Sequence, residues 1–341
     1  MGGKVSKILV KTLPGLENIA IDEITSLVGA VKCAIEGKGR VLVEGNGLGE
    51  KLKELLEKAK IAEHVIYILW EGKFSDLTEL ENLISQSVEA LSPYISPWLS
   101  FSVEAERIET EILSSVELAS AVGRAIEMRF EKLQVKVCLD DPDIVIYACV
   151  KRDRYVLGIY VTAFRPLHER RYRIYIHPSM LNPVVANAML TLAEDPRTLL
   201  DPFCGSGTIL IERARRGEYD MLIGMDVSYR HVYGAKLNAK TANVDVNLLV
   251  GDINLHPFRN LSSTVEAIVT NPPYGIREKP VGGLGRIYKA LFEVARSFGV
   301  KLVVITPHKR IAEKYGKKLR RKKSLTINQG GLTSFIYVYE T

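Results

Sequence analysis

The chain has 341 residues and a mass of 38.1 kDa, more than one ordinary hydrophobic core encloses, so its length favours two domains. Hydrophobic residues make up 47% and charged residues 25% of the chain, and these proportions exclude wholesale disorder. The longest apolar run, residues 65–70, is far too short to span a membrane, and the first residues lack the apolar segment of a signal peptide. We therefore expect a cytoplasmic protein without a membrane partner.

The cysteines and histidines show no metal-ligand pattern. The four cysteines are scattered without a CxxC pair, at Cys33, Cys138, Cys149 and Cys204. The six histidines also lack the spacing of zinc ligands. We expect no metal site and no disulfide framework, and we expect buried, reduced thiols at the first three cysteines.

The net charge of +6 is unevenly distributed. Residues 299–341 hold ten Lys and Arg against two Glu, or +8, so the rest of the chain sums to −2. A basic end on a near-neutral body suggests a polyanionic partner, although a solvated surface loop has the same composition.

Strands and helices interleave through residues 1–164. Alternating and β-branched segments predict strands, at residues 6–13, 31–36, 40–44, 63–70, 98–107, 135–139, 144–151 and 155–162. Apolar residues at helical spacing predict helices, at residues 15–28, 48–60, 77–91 and 115–130. The last helix is preceded by a capping box, formed by Ser114 with Glu117 three residues later. Because strands and helices interleave, we predict an α+β domain over residues 1–164. Nothing in this part of the chain looks catalytic on its own.

A basic segment at residues 165–177 follows, and we predict that it links two domains. Its arginines and tyrosines are interleaved, at Arg165, Arg170, Arg171, Tyr172, Arg173 and Tyr175. This pattern suits phosphate contacts combined with base stacking, so Arg170, Arg171 and Arg173 are candidate RNA contacts. A solvated linker between domains would look similar.

Regular strand–helix alternation fills residues 178–341. After a helix at 182–193, each apolar strand ends at a polar or turn residue, which predicts buried parallel strands at residues 198–201, 221–226, 246–252, 267–271 and 301–306. Two more strands, at 324–328 and 333–339, are separated by Gly330 and Gly331 and predict an antiparallel hairpin. A five-stranded parallel sheet with a terminal hairpin is typical of Rossmann-fold methyltransferases rather than dehydrogenases.

The loop after the first parallel strand has the composition of a ligand-binding turn. It runs through Asp201, Pro202, Phe203, Cys204, Gly205, Ser206, Gly207 and Thr208. Ligands of open parallel sheets bind at this end of the strands. Gly205 and Gly207 let the backbone approach a ligand closely. Asp201 can bind a cationic amino group, and the start of the next helix favours a carboxylate. An amino-acid moiety carries both of these charged groups, whereas a dinucleotide fits worse because Leu210 replaces the third glycine of GxGxxG.

Acidic residues also follow the next two strands. Asp226 lies 19 residues after Gly207, near the spacing at which an acidic side chain meets ribose hydroxyls. Asp252 ends the third strand and can accept from an adenine amino group, with Ile253 against the ring. Helix caps would explain each aspartate singly, but the set predicts an adenosyl ligand with an amino-acid tail, which is S-adenosylmethionine.

The fourth strand ends in Asn271, Pro272, Pro273 and Tyr274. Prolines offer carbonyl groups and no N–H, so this loop presents hydrogen-bond acceptors. The Asn271 side-chain oxygen and the Pro272 carbonyl can accept from an exocyclic amine on a base and aim its lone pair, while Tyr274 can stack on the base. An ordinary Pro-Pro turn is the alternative to this amine-methylating site.

In residues 201–208 and 271–274, the C-terminal half resembles the N-type Rossmann-fold methyltransferases. The N-terminal half is similar to the ferredoxin-like unit plus THUMP domain of RNA-modifying enzymes, at residues 15–17, 101–106, 144–147 and 157–162. Residues 167–173 and 177–190 match the join between those halves. As a whole the chain resembles archaeal tRNA guanine-N2 methyltransferases that act on guanosine 6 of the acceptor stem. The resemblance implies a THUMP domain that grips the tRNA 3′ end, and we expect a monomer.

Other targets remain open. Family members that modify guanosine 10 typically have Asp where this chain has Asn271, whereas bacterial rRNA guanine-N2 enzymes also have Asn but possess extra domains absent here. Adenine-N6 methylation of DNA uses the same tetrapeptide, although the THUMP-like half argues against it. A THUMP adaptor that binds RNA without turnover is a further alternative. It is opposed by the intact strand-end residues, which are Asp201, Asp226, Asp252 and Asn271.

The basic cluster at residues 317–323 holds six cations in seven residues. We predict that it lies on a connection before the terminal hairpin, where Arg320, Arg321, Lys322 and Lys323 contact tRNA phosphates. The alternative is a solvated turn.

Overall fold

The computed structural model describes residues 5–29, 31–162, 166–177, 179–255, 257–258, 261–275, 283–329 and 331–341. These residues form two compact units. The first lies within Met1–Lys11, Ile24–Ala59 and Glu63–Leu167, and the second comprises Thr12–Glu23, Lys60–Ala62 and His168–Thr341. The domain boundaries that we predict from sequence, with a linker at 165–177, stay a prediction.

The first unit contains an eight-stranded sheet in the order β2-β3-β1-β4-β8-β7-β5-β6. Its strands are β1 (Val5–Lys11), β2 (Lys32–Gly37), β3 (Arg40–Asn46), β4 (His64–Lys73), β5 (Ser100–Ile108), β6 (Lys136–Val137), β7 (Ile144–Lys151) and β8 (Arg154–Tyr160). All neighbouring pairs are antiparallel except β5 with β6 and β5 with β7, which are parallel. The predicted mixture of strands and helices in this half is confirmed.

In the part of this half that the structure describes, four α-helices accompany these strands: α1 (Glu17–Val28), α2 (Leu48–Lys58), α3 (Leu77–Ser87) and α4 (Ser115–Arg129). The predicted capping box is present, because Ser114 accepts from the Glu117 amide while Glu117 accepts from the Ser114 amide. Helices α3 and α4 bury their apolar faces with β5, β7 and β8 in one core. The predicted helix at 77–91 is shorter, because its chain tightens into a 3₁₀ turn at Val88–Tyr94 that contains Pro93.

The second unit contains a seven-stranded sheet in the order β11-β10-β9-β12-β13-β15-β14. Its strands are β9 (Thr198–Asp201), β10 (Met221–Asp226), β11 (Asn247–Val250), β12 (Ala267–Thr270), β13 (Lys301–Thr306), β14 (Arg320–Gln329) and β15 (Leu332–Glu340). The first five are parallel, whereas β15 is antiparallel to β13 and to β14. The predicted Rossmann-type sheet with an antiparallel terminal hairpin is confirmed.

Among the described residues, helix α5 (Pro183–Leu192) precedes β9, and four helices lie between strands of this sheet: α6 (Thr208–Ala214), α7 (Tyr229–Ala242), α8 (Leu284–Phe298) and α9 (Lys309–Gly316). Helix α5 begins where sequence rules favour it, with Asn182 as N-cap accepting from the Val184 amide and Pro183 in the first turn. Helices α8 and α9 share one core with β9, β10, β12, β13 and β15. Within the described residues, no helix combines the length and apolar character that crossing a bilayer requires.

Strand β14 lies at the end of this sheet, and residues 14–15 pack against it. The Asn328 amide donates to the Pro14 carbonyl at 3.3 Å. A β-carbon at Gly15 would lie 2.0 Å from the Thr326 carbonyl oxygen, and Gly15 has φ +99°. Only glycine therefore fits this approach of backbone to backbone.

Candidate active site

The carboxyl ends of four neighbouring parallel strands, β11, β10, β9 and β12, carry the predicted cofactor and amine residues. Asp201 ends β9 and Asp226 ends β10, while Asn271 directly follows β12. Asp252 lies two residues beyond β11, and the Gly251 amide donates to the Asp226 carbonyl at 3.0 Å. These side chains therefore line the one edge of the sheet at which open α/β proteins bind ligands.

The loop between β9 and α6 is tied to the end of β10. The Cys204 amide donates to the Met225 carbonyl at 2.8 Å, and the Gly205 amide donates to Asp226 Oδ2 at 3.0 Å. Within the loop, the Gly207 amide donates to the Cys204 carbonyl at 2.8 Å. Gly205 and Gly207 have φ of +53° and +80°, so this tight turn uses a backbone conformation that favours glycine.

Asp201 is a buried carboxyl group with a strongly shifted pKa. It is 1% exposed, and one of its oxygens accepts from the Thr270 hydroxyl at 2.6 Å and from the Phe203 amide at 3.2 Å. Burial raises its pKa to about 7, and these two hydrogen bonds only partly oppose the shift. A cation placed beside this group would favour its charged form.

The other two aspartates are held by backbone amides. The two oxygens of Asp226 accept separately, Oδ2 from the Gly205 amide and Oδ1 from the Ser228 amide at 2.9 Å. Asp252 Oδ1 accepts from the amide and the side chain of Asn254, at 2.9 and 2.8 Å. Hydrogen bonds of this kind hold each carboxylate in one orientation before a ligand arrives.

The loop that follows β12 contains an unsatisfied acceptor. Asn271 Oδ1 is buried and has no hydrogen-bond partner among the described residues. An unpaired buried polar atom costs about 1–3 kcal/mol. Pro272 beside it is buried and Pro273 is half-buried. Residues 276–282, immediately beyond, lie outside the described residues.

Tyr274 is half-buried, with its ring edge-on to that of His308 at a centroid distance of 6.5 Å. Burial raises the pKa of its hydroxyl to about 12, opposed by a hydrogen bond with Ser334. Its backbone carbonyl accepts from His308 Nε2 at 2.7 Å. The His308 amide in turn donates to Thr306 Oγ1 at 3.0 Å, and this hydroxyl lies 2.6 Å from that of Tyr288. Sequence reasoning missed His308, since nothing in the chain order links it to a loop 34 residues earlier.

His177 is a second residue that sequence reasoning missed. Its Nδ1 accepts from the Ser179 amide at 3.2 Å, so Nε2 carries the ring hydrogen of the neutral form. That Nε2 atom is buried without a partner among the described residues, and a β-carbon at Gly205 would lie 3.2 Å from it. The ring stacks on His231, with centroids 4.6 Å apart. Burial and the neighbouring His231 lower the pKa of His177 to about 4, so it is a neutral donor at physiological pH.

The structure argues against one of the predicted RNA contacts. The Arg170 guanidinium is 10% exposed and donates to both oxygens of Glu212, at 2.9 and 3.3 Å. Glu212 is fully buried and also accepts from the Tyr172 hydroxyl at 2.8 Å. Arg170 therefore neutralises a buried carboxylate rather than presenting its charge to phosphate. Arg171 is exposed and Arg173 half-buried, whereas Arg165 lies outside the described residues.

The predicted connection at 317–323 is partly a strand. Strand β14 starts at Arg320, four residues earlier than predicted, so Arg320, Arg321, Lys322 and Lys323 lie on the outermost strand of the sheet. Arg321 contacts Glu313 at 3.5 Å and Lys322 contacts Glu340 at 2.8 Å. All four cations are exposed, so their contact with phosphate stays a prediction.

The fold and the strand-end site define a Rossmann-fold methyltransferase that uses S-adenosylmethionine. More particularly, residues 170–334 match the model of the RMKL-like methyltransferase domain and residues 76–160 match that of the THUMP domain. The chain therefore combines a THUMP domain with an RMKL-like methyltransferase domain, and the predicted resemblance is confirmed. Within the described residues, no group of three or more His, Cys, Asp or Glu side chains forms a metal-binding cluster.

Relatives match over nearly the whole chain. The tRNA (guanine(6)-N2)-methyltransferase of Methanocaldococcus jannaschii is 28% identical, covering 86% of this chain and 88% of its own. The enzyme of the same name from Archaeoglobus fulgidus is 27% identical over 96% and 90%. The crystal structure of TrmN from Thermus thermophilus is 25% identical, with a TM-score of 0.86 over 98% of this chain and 99% of its own.

Proposed function

We propose that the protein methylates the exocyclic N2 amine of a guanosine in tRNA, at position 6 of the acceptor stem. The full-length similarity to guanine(6)-N2 enzymes supports this target. The observation that carries the chemistry is the buried, unpartnered Asn271 Oδ1 at the end of β12. An acceptor left unsatisfied in the free enzyme is available to an amine N–H of the substrate.

The residues at the strand ends fit S-adenosylmethionine. The pKa of Asp201 is raised, as expected for a buried carboxyl group without a cation beside it. The positively charged amino group of the methyl donor would be that cation. Asp226 would accept from ribose hydroxyls and Asp252 from the adenine amino group, with Ile253 against the ring. The rest of the proposed cofactor site is the turn formed by Cys204, Gly205, Ser206, Gly207 and Thr208. When bound, the cofactor supplies the electrophilic methyl group.

The chain's own contribution to the reaction is orientation and charge stabilisation. Asn271 Oδ1 and the Pro272 carbonyl accept the two N–H groups of the guanine amine, which turns its lone pair toward the methyl group. As positive charge develops on that nitrogen, both oxygens stabilise it. Tyr274 stacks on the base, and Pro273 shapes the loop. The hydrogen bond that His308 donates to the Tyr274 carbonyl holds this loop in place.

The decisive experiment is to incubate unmodified bulk tRNA, and rRNA and DNA in parallel reactions, with enzyme and labelled cofactor, and to map the product nucleoside and its position. N2-methylguanosine at position 6 supports the proposal, whereas label at position 10, in rRNA or on adenine of DNA would replace it with another target. If calorimetry detects no S-adenosylmethionine binding and no label transfers, the chain is an RNA-binding adaptor.

We further propose that the active species is a cytoplasmic monomer. Sedimentation of the active enzyme tests whether it is a monomer.

A further inference from the structure

Helix α7 presents a stripe of exposed aromatic and cationic side chains. Tyr229, Tyr233, Lys236 and Lys240 follow one another at intervals of four, three and four residues, which places them on one side of a helix. All four are exposed. The opposite side of α7 is buried through Ala235, Asn238 and Ala239. The two tyrosines of this α7 stripe therefore contribute nothing to the core.

The two tyrosine rings lie nearly parallel to each other and are exposed to solvent. Tyr229 is 72% exposed and Tyr233 is 52% exposed, and their rings stack with centroids 6.3 Å apart and an interplanar angle of 19°. Exposed apolar surface gathered at one place, rather than scattered singly, marks interaction sites. Parallel aromatic faces are what nucleic-acid bases stack on.

The charge of the helix selects the class of partner. Helix α7 contains Arg230, Lys236 and Lys240 and no Asp or Glu over its 14 residues. Arg230 is exposed as well. A stacking surface that continues into cations matches alternating bases and phosphates, whereas an apolar protein segment would leave these cations unpaired.

The position of the α7 stripe connects it to the site. The helix begins three residues after Asp226, and its His231 lies 3.4 Å from that carboxylate through Nδ1. His231 also stacks on His177, whose unpartnered Nε2 faces the Gly205 turn. A strand of RNA lying along α7 would thus end at the edge of the sheet where the cofactor site is proposed.

We propose that the α7 stripe binds an unpaired segment of the substrate RNA, with bases stacked on Tyr229 and Tyr233 and phosphates on Lys236 and Lys240. The inference rests on the proposed function, because it takes the polyanion to be the RNA that the enzyme methylates. It adds an RNA contact that the sequence analysis did not find, separate from the cations of β14.

The test compares Y229A/Y233A with Y229F/Y233F, using tRNA and a short unstructured RNA as probes in fluorescence anisotropy. Because stacking needs the ring and not the hydroxyl, the alanine pair should weaken binding about tenfold or more, while the phenylalanine pair should bind within about twofold of wild type. K236S/K240S should lower the salt slope for the unstructured RNA by about 0.7 per lost contact. K289S is the matched control, since Lys289 is an exposed cation on α8; its slope should stay unchanged.

Other outcomes overturn the inference. RNA affinity unchanged in Y229A/Y233A would show that the stripe does not bind RNA. Loss of methyl-donor binding by calorimetry, with RNA affinity retained, would assign the tyrosines to the cofactor site. A wild-type dimer that Y229A/Y233A lacks, again with unchanged RNA affinity, would make the stripe a protein interface. Failure of the proposed function is distinguishable, because wild-type protein would then leave tRNA unmethylated while stripe-dependent RNA binding persisted.

Discussion

Replacing Asn271 by alanine should separate the stability of the strand-end loop from its activity. The side-chain oxygen is buried without a partner in the free enzyme, a state that costs about 1–3 kcal/mol. Alanine removes that unpaired acceptor, and it also removes packing of a half-buried side chain, which acts in the opposite direction. We therefore expect the free energy of unfolding of Asn271→Ala to be equal to, or above, that of the wild type.

The turnover of Asn271→Ala should fall, although its stability does not. An acceptor that acts mainly as charge develops on the amine resembles an oxyanion-hole donor, whose loss costs about 2.7–4 kcal/mol, or ~10²- to 10³-fold in rate. Methyl-donor affinity should change little, because the proposed donor contacts lie on Asp201, Asp226 and Asp252. Single-turnover methyl transfer, chemical denaturation and calorimetric titration measure these three quantities on one preparation.

Asn271→Asp is the matched control, since a carboxylate of similar size keeps the acceptor. It should retain far more activity than the alanine variant. Turnover of Asn271→Ala within a few-fold of wild type would remove this side chain from the mechanism. A loss of activity that tracks a loss of stability would instead make Asn271 a structural residue of the loop.

Three further predictions concern groups around the same site and the sheet edge. His308→Ala should lower turnover up to about tenfold, the value of one hydrogen bond, while methyl-donor affinity stays nearly constant. His308→Gln should restore most of the lost turnover, because its amide can donate to the Tyr274 carbonyl. Equal turnover in the wild type and both variants would contradict the role of that bond. Methyl-donor affinity should rise with pH up to about 7 and level off above that pH. The reason is that Asp201 has a pKa of about 7 without ligand and that a bound ammonium group lowers this pKa. Binding titrations from pH 5.5 to 8.5 check this, and Asp201→Asn should flatten the pH profile. Changing Arg320, Arg321, Lys322 and Lys323 to Ser should weaken tRNA binding and reduce its salt slope by about 0.7–0.9 per phosphate contact, whereas an unchanged slope would leave these cations without a role in binding.

The strands of the methyltransferase half could be predicted closely because burial on both faces leaves a clear pattern. Strands β9, β10 and β13 have the bounds expected from their apolar runs, each closed by a polar residue. The positions of Asp201, Asp226 and Asn271 at adjacent strand ends follow from that order, since parallel strands all end at one edge.

The errors arose where a side chain's partner is distant in sequence. Arg170 reads as a free cation in a basic segment, yet its charge is neutralised by Glu212, 42 residues later and fully buried. The roles of His177 and His308 likewise depend on contacts with Gly205 and Tyr274. The early start of β14 was hidden by its four cations, because charged residues on an outer strand have the same composition as a solvated turn.

The outer edge of β14 also bears on how the protein behaves at high concentration. An end strand with unpaired backbone groups is a template for pairing with a second copy. Here the later part of the strand is approached by Pro14 and Gly15, whereas its first four residues are all cationic. Two such edges brought together would place like charges against each other, so self-association is discouraged where the backbone is uncovered. Substituting serine at all four positions removes that repulsion, and the variant protein should aggregate at a lower concentration than the wild type.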